Sequence, residues 1–453
     1  MARRATARQR AAFVVMCVGY FLVLLDVTIV NVALPTIAKG LHASVSDLQW
    51  VVDGYAIALA SVMLGGGTIG DVYGHKRVVL GGLTLFGAAS LACGLAPSSG
   101  ALVGFRVLQG LGAALMLPGT LAVITNAYPS EQERAKAIGV WAAIGSVALP
   151  AGPLLGGALI QAASWRLIFL VNVPLVVVAV TVAALTVDES PKARGRRLDL
   201  AGMALGAVLL GLVTFAFIEG GRSGLSTIVI ATTVAAVLVG LAFVATEARR
   251  DDPMLPLSLF RDASFSTANT VAGVMNLCTL GLLFTLTLYL QAVRHHTPLV
   301  AGVELLPLFL PLSLIAPLGG RLTGRMGPRA PMLAGLLLAA VGVGLLIVLG
   351  AASGYLVMLP ALLAWGAGLA LLTPAVVAAA VGAVPGDRAG LASAVNNTSR
   401  QASGAVGIAA FGALAGEPGK PGFLAGFHLA AAIATALFLS AAILTALYIP
   451  ARG

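Results

Sequence analysis

The sequence has little charge, few aromatic side chains and almost no cysteine. Only 10% of its 453 residues are Asp, Glu, Lys or Arg, whereas a soluble domain carries about 25%. Aromatic residues make up 6%, and the three cysteines form an odd set inside apolar segments, so no disulfide framework is expected. Apolar residues fill the chain instead, at 59% with a mean hydropathy of +1.00. These values exclude a soluble protein and indicate one that crosses the bilayer many times.

Several patterns that carry chemistry are also missing. The chain has no Gly-x-x-x-x-Gly-Lys-Ser/Thr phosphate loop, which argues against ATP as its energy source. It has no His-Glu-x-x-His motif and no constellation of nucleophile and base, so we expect no enzyme, no metal and no cofactor. His295 and His296 lack further ligands nearby and are interpreted as surface histidines. The net charge of +10 is spread over short loops rather than one patch, so no nucleic-acid partner is expected.

The apolar residues occur in long runs that predict helices. The alternating pattern of barrel strands, about 10 residues each, is absent. We therefore predict an all-α polytopic membrane protein with fourteen spans. The predicted spans cover residues 11–35, 49–70, 78–96, 100–125, 136–162, 166–187, 199–219, 225–246, 264–290, 299–322, 330–351, 354–382, 389–415 and 423–449.

The basic residues predict how the spans are oriented. An even number of spans puts both termini on one side. With the termini in the cytoplasm, 20 of the 27 Lys and Arg residues fall in cytoplasmic segments and 5 in outer segments, while Arg106 and Arg400 fall within spans. This excess follows the positive-inside rule. We predict a multi-pass protein of the inner (cytoplasmic) membrane with both termini cytoplasmic.

A few charged side chains lie inside the predicted spans. Asp26, Asp53, Arg106 and Glu304 each stand about 5 to 7 residues from the outer end of a different span, or roughly 7–10 Å at 1.5 Å per residue. A charge inside the bilayer costs at least about 2.5–3.5 kcal/mol and is a functional candidate by default. Arg106 is the one cation at that level, so a pair with Asp26 or with Asp53 is expected. A carboxyl group balanced between burial and a neighbouring cation can exchange protons near neutral pH.

Arg400, about 11 residues into span 13, completes the residues expected to serve proton coupling or the substrate path. Each member of the set also has a structural interpretation. Asp26 could reach the interface, Asp53 and Glu304 could line a wet outer vestibule, and Arg106 could hold backbone carbonyls. Arg400 could serve packing and hydrogen bonding alone.

Two pairs of short segments predict an internal repeat. Residues 67–77 join spans 2 and 3, and residues 320–329 join spans 10 and 11; both segments are basic and punctuated by glycine. Glu133-Arg134 and Asp387-Arg388 also occupy equivalent places, before spans 5 and 13. Two related halves with a substrate path between them are a common transporter plan. We predict three units, which are an N-terminal six-helix bundle (1–188), two inserted helices with cytoplasmic linkers (189–262) and a C-terminal six-helix bundle (263–453).

Five motifs lie along the chain in a fixed order. They are Leu25-Asp26 with Thr28, Asn31 and Pro35; Gly67, Asp71, Gly74, Lys76 and Arg77; Arg106 with Gln109 and Gly110; Gly145 with Gly152, Pro153, Gly156 and Gly157; and Trp165-Arg166 with Phe169, Asn172 and Pro174. Together they resemble the major facilitator superfamily, and specifically its 14-helix drug:proton antiporter branch.

This resemblance implies a major facilitator fold of two six-helix bundles plus two additional helices. It implies proton-coupled export of lipophilic or cationic drugs or antibiotics by alternating access, driven by the proton gradient without a cofactor. The motif at Gly67 to Arg77 would gate the cytoplasmic side. The motif at Gly145 to Gly157 would seal the outer side, because its glycines permit close helix contact and Pro153 kinks the helix. Expected partners are a small lipophilic substrate, protons and the bilayer, with the monomer as the working form.

Two other functions stay open at this stage. A proton-coupled importer of a small metabolite would share the fold, and the direction of flux would separate it from an exporter. A membrane enzyme or lipid-handling protein would need a catalytic constellation at a membrane face, and the sequence shows none.

Overall fold

A computed structural model gives the structure of residues 7–128, 131–189, 199–250, 253, 255–351, 353–385 and 388–451. Within these ranges all regular elements are helical and no strand occurs. Most of the predicted linker at 188–198 and Asp387 lie outside the described residues.

The first half of the chain forms seven helices. Two of them begin with a side-chain cap: Ser44 forms a reciprocal capping box with Asp47, and the Ser98 hydroxyl accepts a hydrogen bond from the Ala101 amide. The helices are α1 (Ala7–Leu41), α2 (Val45–Tyr73), α3 (His75–Gly94), α4 (Ser99–Ala127), α5 (Glu131–Ala162), α6 (Leu167–Leu170) and α7 (Asn172–Thr186).

The described residues from 200 onward form nine further α-helices. A π-helical turn, Tyr289–Val293, continues the third of them, and short 3₁₀ turns occur at Leu257–Arg261 and Leu345–Val348. The helices are α8 (Leu200–Ser223), α9 (Thr227–Arg249), α10 (Ala263–Leu288), α11 (Pro298–Glu304), α12 (Leu306–Met326), α13 (Arg329–Gly344), α14 (Tyr355–Gly382), α15 (Ala389–Ala415) and α16 (Phe423–Tyr448).

Two spans that were predicted as single helices are interrupted. The span at 166–187 breaks at Val171, and the span at 299–322 breaks at Leu305. A proline follows each break by two or three residues, and its ring nitrogen cannot donate to the carbonyl four residues earlier. The first span is instead longer than predicted. Because α1 continues to Leu41, Asp26 lies about 22 Å from the end of its helix at 1.5 Å per residue, rather than the predicted distance of about 10 Å.

Eleven of the described helices are long and apolar enough to cross a membrane. The chain is therefore a multi-pass membrane protein. α2, α5 and α15 have 29, 32 and 27 residues but fall outside that set. The count of fourteen spans stays a prediction.

Helix packing repeats between the two halves. α2 packs on α4, α3 on α4 and α1 on α5, while α12 packs on α14, α13 on α14 and α10 on α15. These pairings are the ones an internal repeat predicts, although the residue boundaries of the bundles stay a prediction. The halves meet along two seams, one between α2 and α15 and the other between α5 and the α11–α12 pair. α8 packs against α9 and also against both helices of the first seam.

Candidate functional site

A cavity of about 2260 Å³ lies between the two halves. We call the end of the bundle where α1 begins the N-side, and the end where α1 stops the far side. The cavity is lined by α1, α2, α4 and α5 from one half and by α10, α12, α14 and α15 from the other, and it opens at the N-side, where Asn126 and Arg388 lie.

On the far side the halves touch each other. The Gln291 side-chain amide donates to the Val32 carbonyl at 2.8 Å, and the Gln49 amide donates to the Ala409 carbonyl at 3.0 Å. The cavity is therefore accessible from the N-side and closed on the far side.

Asp26 and Arg106 form an ion pair inside the N-terminal half. Each residue is only 1% exposed, and Arg106 Nη1 donates to Asp26 Oδ2. Arg106 Nε also donates to the Val51 carbonyl at 3.0 Å, so the guanidinium joins α1, α2 and α4. The rings of Tyr55 and Phe169 lie 4.3 and 5.8 Å from the guanidinium carbon. Of the two pairings expected from the sequence, the structure has the one with Asp26.

Neutral polar side chains extend this ion pair. Gln109 accepts from Arg106 at 2.7 Å, and its amide donates to Asp26 Oδ1 at 3.0 Å and to Ser90 Oγ at 2.8 Å. Asn172 donates to the same hydroxyl at 3.4 Å. Gln109 and Asn172 belong to the motifs singled out in the sequence, but their connection to Asp26 was not predicted. A chain of hydrogen bonds thus links the carboxylate to α3 and α7.

Asp53 is separate from this network. It is 0% exposed, and neither of its carboxyl oxygens has a hydrogen-bond partner among the described residues. The guanidinium of Arg106 contacts α2 through the Val51 carbonyl instead. A buried carboxyl group without partners is far cheaper in its neutral form.

Glu304 and Arg400 lie in the C-terminal half and do not join Asp26. Glu304 ends α11 on the far side, where its carboxylate lies 2.8 Å from His296 Nδ1. His296 is therefore not the isolated surface residue that the sequence indicated. Arg400 lines the cavity and donates through Nη2 to Asn397 Oδ1. Among the described residues, no group of three or more His, Cys, Asp or Glu side chains could hold a metal ion.

An aromatic pair in the cavity wall was missed in the sequence. The rings of Tyr20 in α1 and Trp141 in α5 stack with centroids 3.8 Å apart and planes 16° from parallel. Gly145 follows Trp141 by about one turn, and a Cβ there would meet the Tyr20 ring. This glycine leaves the space in which the two rings lie flat on each other.

The segment predicted as a loop at 67–77 is almost entirely helical. α2 continues to Tyr73 and α3 begins at His75, so Gly74 alone joins them, with φ of 99°. Glycine adopts this conformation at little cost. The surroundings of Gly67 and the side chain of Asp71 lie outside the described residues.

The cations of this segment contact the end of α7 within the same half. Lys76 Nζ donates to the Ala184 carbonyl at 2.8 Å, and Arg77 Nε lies 3.5 Å from a Glu189 carboxylate oxygen. The second half repeats the first of these contacts, because Arg329 Nη2 donates to the Ala446 carbonyl near the end of α16 at 2.5 Å. A cation at the start of α3 thus compensates the negative end of α7, and one at the start of α13 compensates that of α16.

The glycines of α5 make two different contacts. A Cβ at Gly152 would meet the Thr28 side chain, and one at Gly156 would lie 2.9 Å from the Ile29 side chain, so both allow α5 to approach α1 within one half. Gly157 instead faces the other half, where a Cβ would lie 2.5 Å from the Leu299 α-carbon. A Cβ at Gly302 of α11 would in turn meet the Pro153 carbonyl oxygen. The far-side contact between the halves is thus formed at Pro153 and Gly157.

Comparison with known proteins agrees with this architecture. The chain is 40% identical to the multidrug resistance protein Stp of Mycobacterium tuberculosis over 400 aligned residues. This alignment covers 87% of this chain and 74% of that protein. The chain is 36% identical over 402 residues to the methylenomycin A resistance protein of Streptomyces coelicolor, which covers 88% and 84%. A solved bacterial homologue of the human lysosomal transporter Spinster, inward-facing and unoccupied, aligns with a TM-score of 0.70 over 98% of this chain and 97% of that chain. Its 16% identity bears on the fold alone.

The family-level comparison covers nearly the whole region that forms the two helical halves. The family model "Major Facilitator Superfamily" matches residues 16–408, which include the Asp26–Arg106 pair, the residues that line the cavity and the contact of α5 with α11. The chain belongs to the Major Facilitator Superfamily.

Proposed function

We propose that this chain exports lipophilic, drug-like compounds across the cytoplasmic membrane in exchange for protons, by alternating access. Its relatives are named as resistance proteins for several drugs and as a tetracenomycin C export protein, which supports drug export. The observation that carries proton coupling is the Asp26–Arg106 pair. A carboxylate that is 1% exposed and neutralised by one guanidinium is a site where gaining a proton changes the local interactions strongly.

The contacts around Asp26 suggest how protonation would reach the cavity gate. A proton on Asp26 removes the charge that holds Arg106, so α1 is freed from its strongest tie to α4. Thr28 and Ile29 follow Asp26 on α1 and contact α5 at Gly152 and Gly156. α5 in turn contacts α11 at Pro153 and Gly157. In this proposal, a shift of α1 relative to α4 changes the far-side contact through α5.

The topology of the proposed exporter follows from helix lengths and charge. We propose fourteen crossings, because α2, α5 and α15 exceed the roughly 20 residues that a bilayer requires and add to the eleven apolar spans. Both termini would be cytoplasmic, and the monomer would be the working form. The proton gradient would supply the energy for transport without a cofactor.

The test is a drug-susceptibility panel in a pump-deficient host, with and without an uncoupler. We expect the chain to lower the accumulation of at least one lipophilic drug, and the uncoupler and Asp26→Asn to abolish this effect. Asp188→Asn is the matched control, because Asp188 pairs with Arg8 at the surface and its side chain is 80% exposed. Undiminished proton-driven efflux in Asp26→Asn would overturn the coupling role, and proton-linked accumulation of substrate would favour the importer.

A further inference from the structure

We infer that the cavity selects planar aromatic compounds that are anionic or rich in hydrogen-bond acceptors, and that it binds them between the Tyr20–Trp141 stack and the Arg400 guanidinium. This inference rests on the proposed export function and names its substrate class. It departs from the expectation of a cationic substrate, for reasons that lie in the cavity wall.

The stacked rings offer a flat apolar surface. Tyr20 and Trp141 both line the cavity, and they come from α1 and α5, which the Gly145 contact brings together. Trp141 Nε1 is buried without a hydrogen-bond partner among the described residues. Planar ligands gain by stacking on such rings, and an acceptor atom on the ligand would satisfy the indole donor.

Arg400 supplies a cation on the opposite wall. In the described part of the chain it forms no ion pair; its Nη2 donates to Asn397, and its Nε is buried without a partner. Arg106 shows the contrast, since its charge is neutralised by Asp26. A half-buried guanidinium that lines a cavity and has no counter-ion among the described residues favours an anion or a strong acceptor.

The aromatic pair and the cation lie at a similar depth. Tyr20, Trp141 and Arg400 are 10 to 13 residues from the N-side ends of their helices, or about 15–20 Å at 1.5 Å per residue. Arg400 and Tyr20 both line this cavity. One ligand of modest size can therefore contact both walls.

The acids that line the cavity do not offer a site for a cation at this depth. Among the described residues, the lining acids are Asp199 and Glu247, and both lie at the N-side mouth. Asp199 pairs with Arg250 at 2.6 Å, and Glu247, which is 2% exposed, accepts from the Leu255 amide at 2.7 Å. A cationic drug deep in the cavity would face Arg400 without a described carboxylate to offset the repulsion.

The experiment measures binding by isothermal titration calorimetry on the full chain in lipid nanodiscs, without a proton gradient. The probes share size and planarity but differ in charge: anthraquinone-2-sulfonate, 2-(hydroxymethyl)anthraquinone and ethidium. We expect the sulfonate to bind tightest and ethidium weakest. Arg400→Gln should weaken binding of the sulfonate about ten- to hundredfold, which is the range for a lost hydrogen bond to a charged group. The same substitution should not weaken the binding of ethidium. Arg400→Lys should recover part of the loss.

Two further variants separate the site from general effects. Trp141→Ala should weaken both anthraquinones about three- to tenfold through lost stacking. Arg261→Gln removes the same charge at the cavity mouth and should change binding of the sulfonate less than twofold. Equal thermal stability and monodispersity establish that each variant is folded, and Arg400→Lys serves if Arg400→Gln is not.

The outcomes distinguish this inference from the proposed function. Ethidium binding as tightly as the sulfonate, or an equal loss for all three probes in Arg400→Gln, would overturn the inference and leave drug export standing. Selective binding that depends on Arg400, without gradient-driven flux in proteoliposomes, would support the inference and overturn proton-coupled export.

Discussion

Gly157 is a position at which one added methyl group should open the far side. A methyl group there would lie 2.5 Å from the Leu299 α-carbon and 2.9 Å from both the Leu299 nitrogen and the Pro298 oxygen. Non-bonded carbon atoms prefer about 3.5–4.0 Å, so Gly157→Ala requires α5 and α11 to separate by about 1 Å. The three atoms belong to the backbone, and no side-chain rotation relieves the contact.

The energetic effect follows from where this contact exists. Inserting a methyl into a well-packed contact costs about 1–3 kcal/mol. If transport follows the proposed alternating access, this contact joins the two halves only while the far side is closed, so the cost falls on that state. We expect the equilibrium to shift toward the state open on the far side by about 5- to 150-fold.

Pulsed electron paramagnetic resonance measures this shift directly. Spin labels at Lys39→Cys and Lys420→Cys report the far-side distance between the halves, and the three native cysteines are buried and should not compete for label. Gly157→Ala should increase the long-distance population and the passive proton leak of proteoliposomes. Gly104→Ala is the control, because a Cβ there meets nothing within 4 Å. An unchanged distance distribution in folded Gly157→Ala protein, or the same change in the control, would refute the reasoning.

Three further predictions concern the N-terminal half. Arg106→Ala should lower the free energy of unfolding by about 3–5 kcal/mol, because it leaves the Asp26 carboxylate buried without its counter-ion. Thermal unfolding in detergent measures this loss, and a loss below about 1 kcal/mol would contradict the prediction. Asp53→Asn should change the free energy of unfolding by less than about 1 kcal/mol, because it exchanges one unpartnered group for another. It should also lower the number of protons exchanged per substrate molecule, as measured by the flux of a pH-sensitive dye. An unchanged number of protons per substrate would exclude a coupling role for Asp53. Gly74→Ala should destabilise by about 1–2 kcal/mol because its φ is 99°, whereas Gly81→Ala, with open space around it, should not; equal melting temperatures would remove the argument from strain.

The Asp26–Arg106 pair could be predicted from the sequence because its physical signal is local. A charge inside an apolar run is visible without a structure. Counting residues placed Glu304 at the height of Asp26, but α1 continues to Leu41, so Asp26 lies deeper than Glu304, which contacts His296 on the far side. Height along a helix does not give the direction in which a side chain points, and that direction depends on how the helices pack.

Other parts of the site had no signal in the sequence alone. Gln109 belongs to a recognised motif, but a neutral amide inside a helix gives no indication in the sequence that its partner is a carboxylate on another helix. Gly145 was assigned with the glycines of α5 to close helix packing, whereas it leaves space for the Tyr20 ring. Gly156 and Gly157 are adjacent in sequence and face different halves, because neighbouring residues on a helix point about 100° apart. The breaks inside two spans were also missed, because the hydrophobicity of the sequence stays high where a proline interrupts a helix.

The position of α8 makes the two seams of the molecule unequal toward lipid. α8 lies against both α2 and α15, with α9 behind it, so these helices shield the first seam from the surrounding bilayer. In the described part of the chain, no inserted helix packs on α5, α11 or α12. A compound dissolved in the membrane would thus meet a lateral barrier on one side of the protein and an uncovered junction on the other. A compound that entered laterally from the bilayer would meet the protein at the junction of α5 with α12.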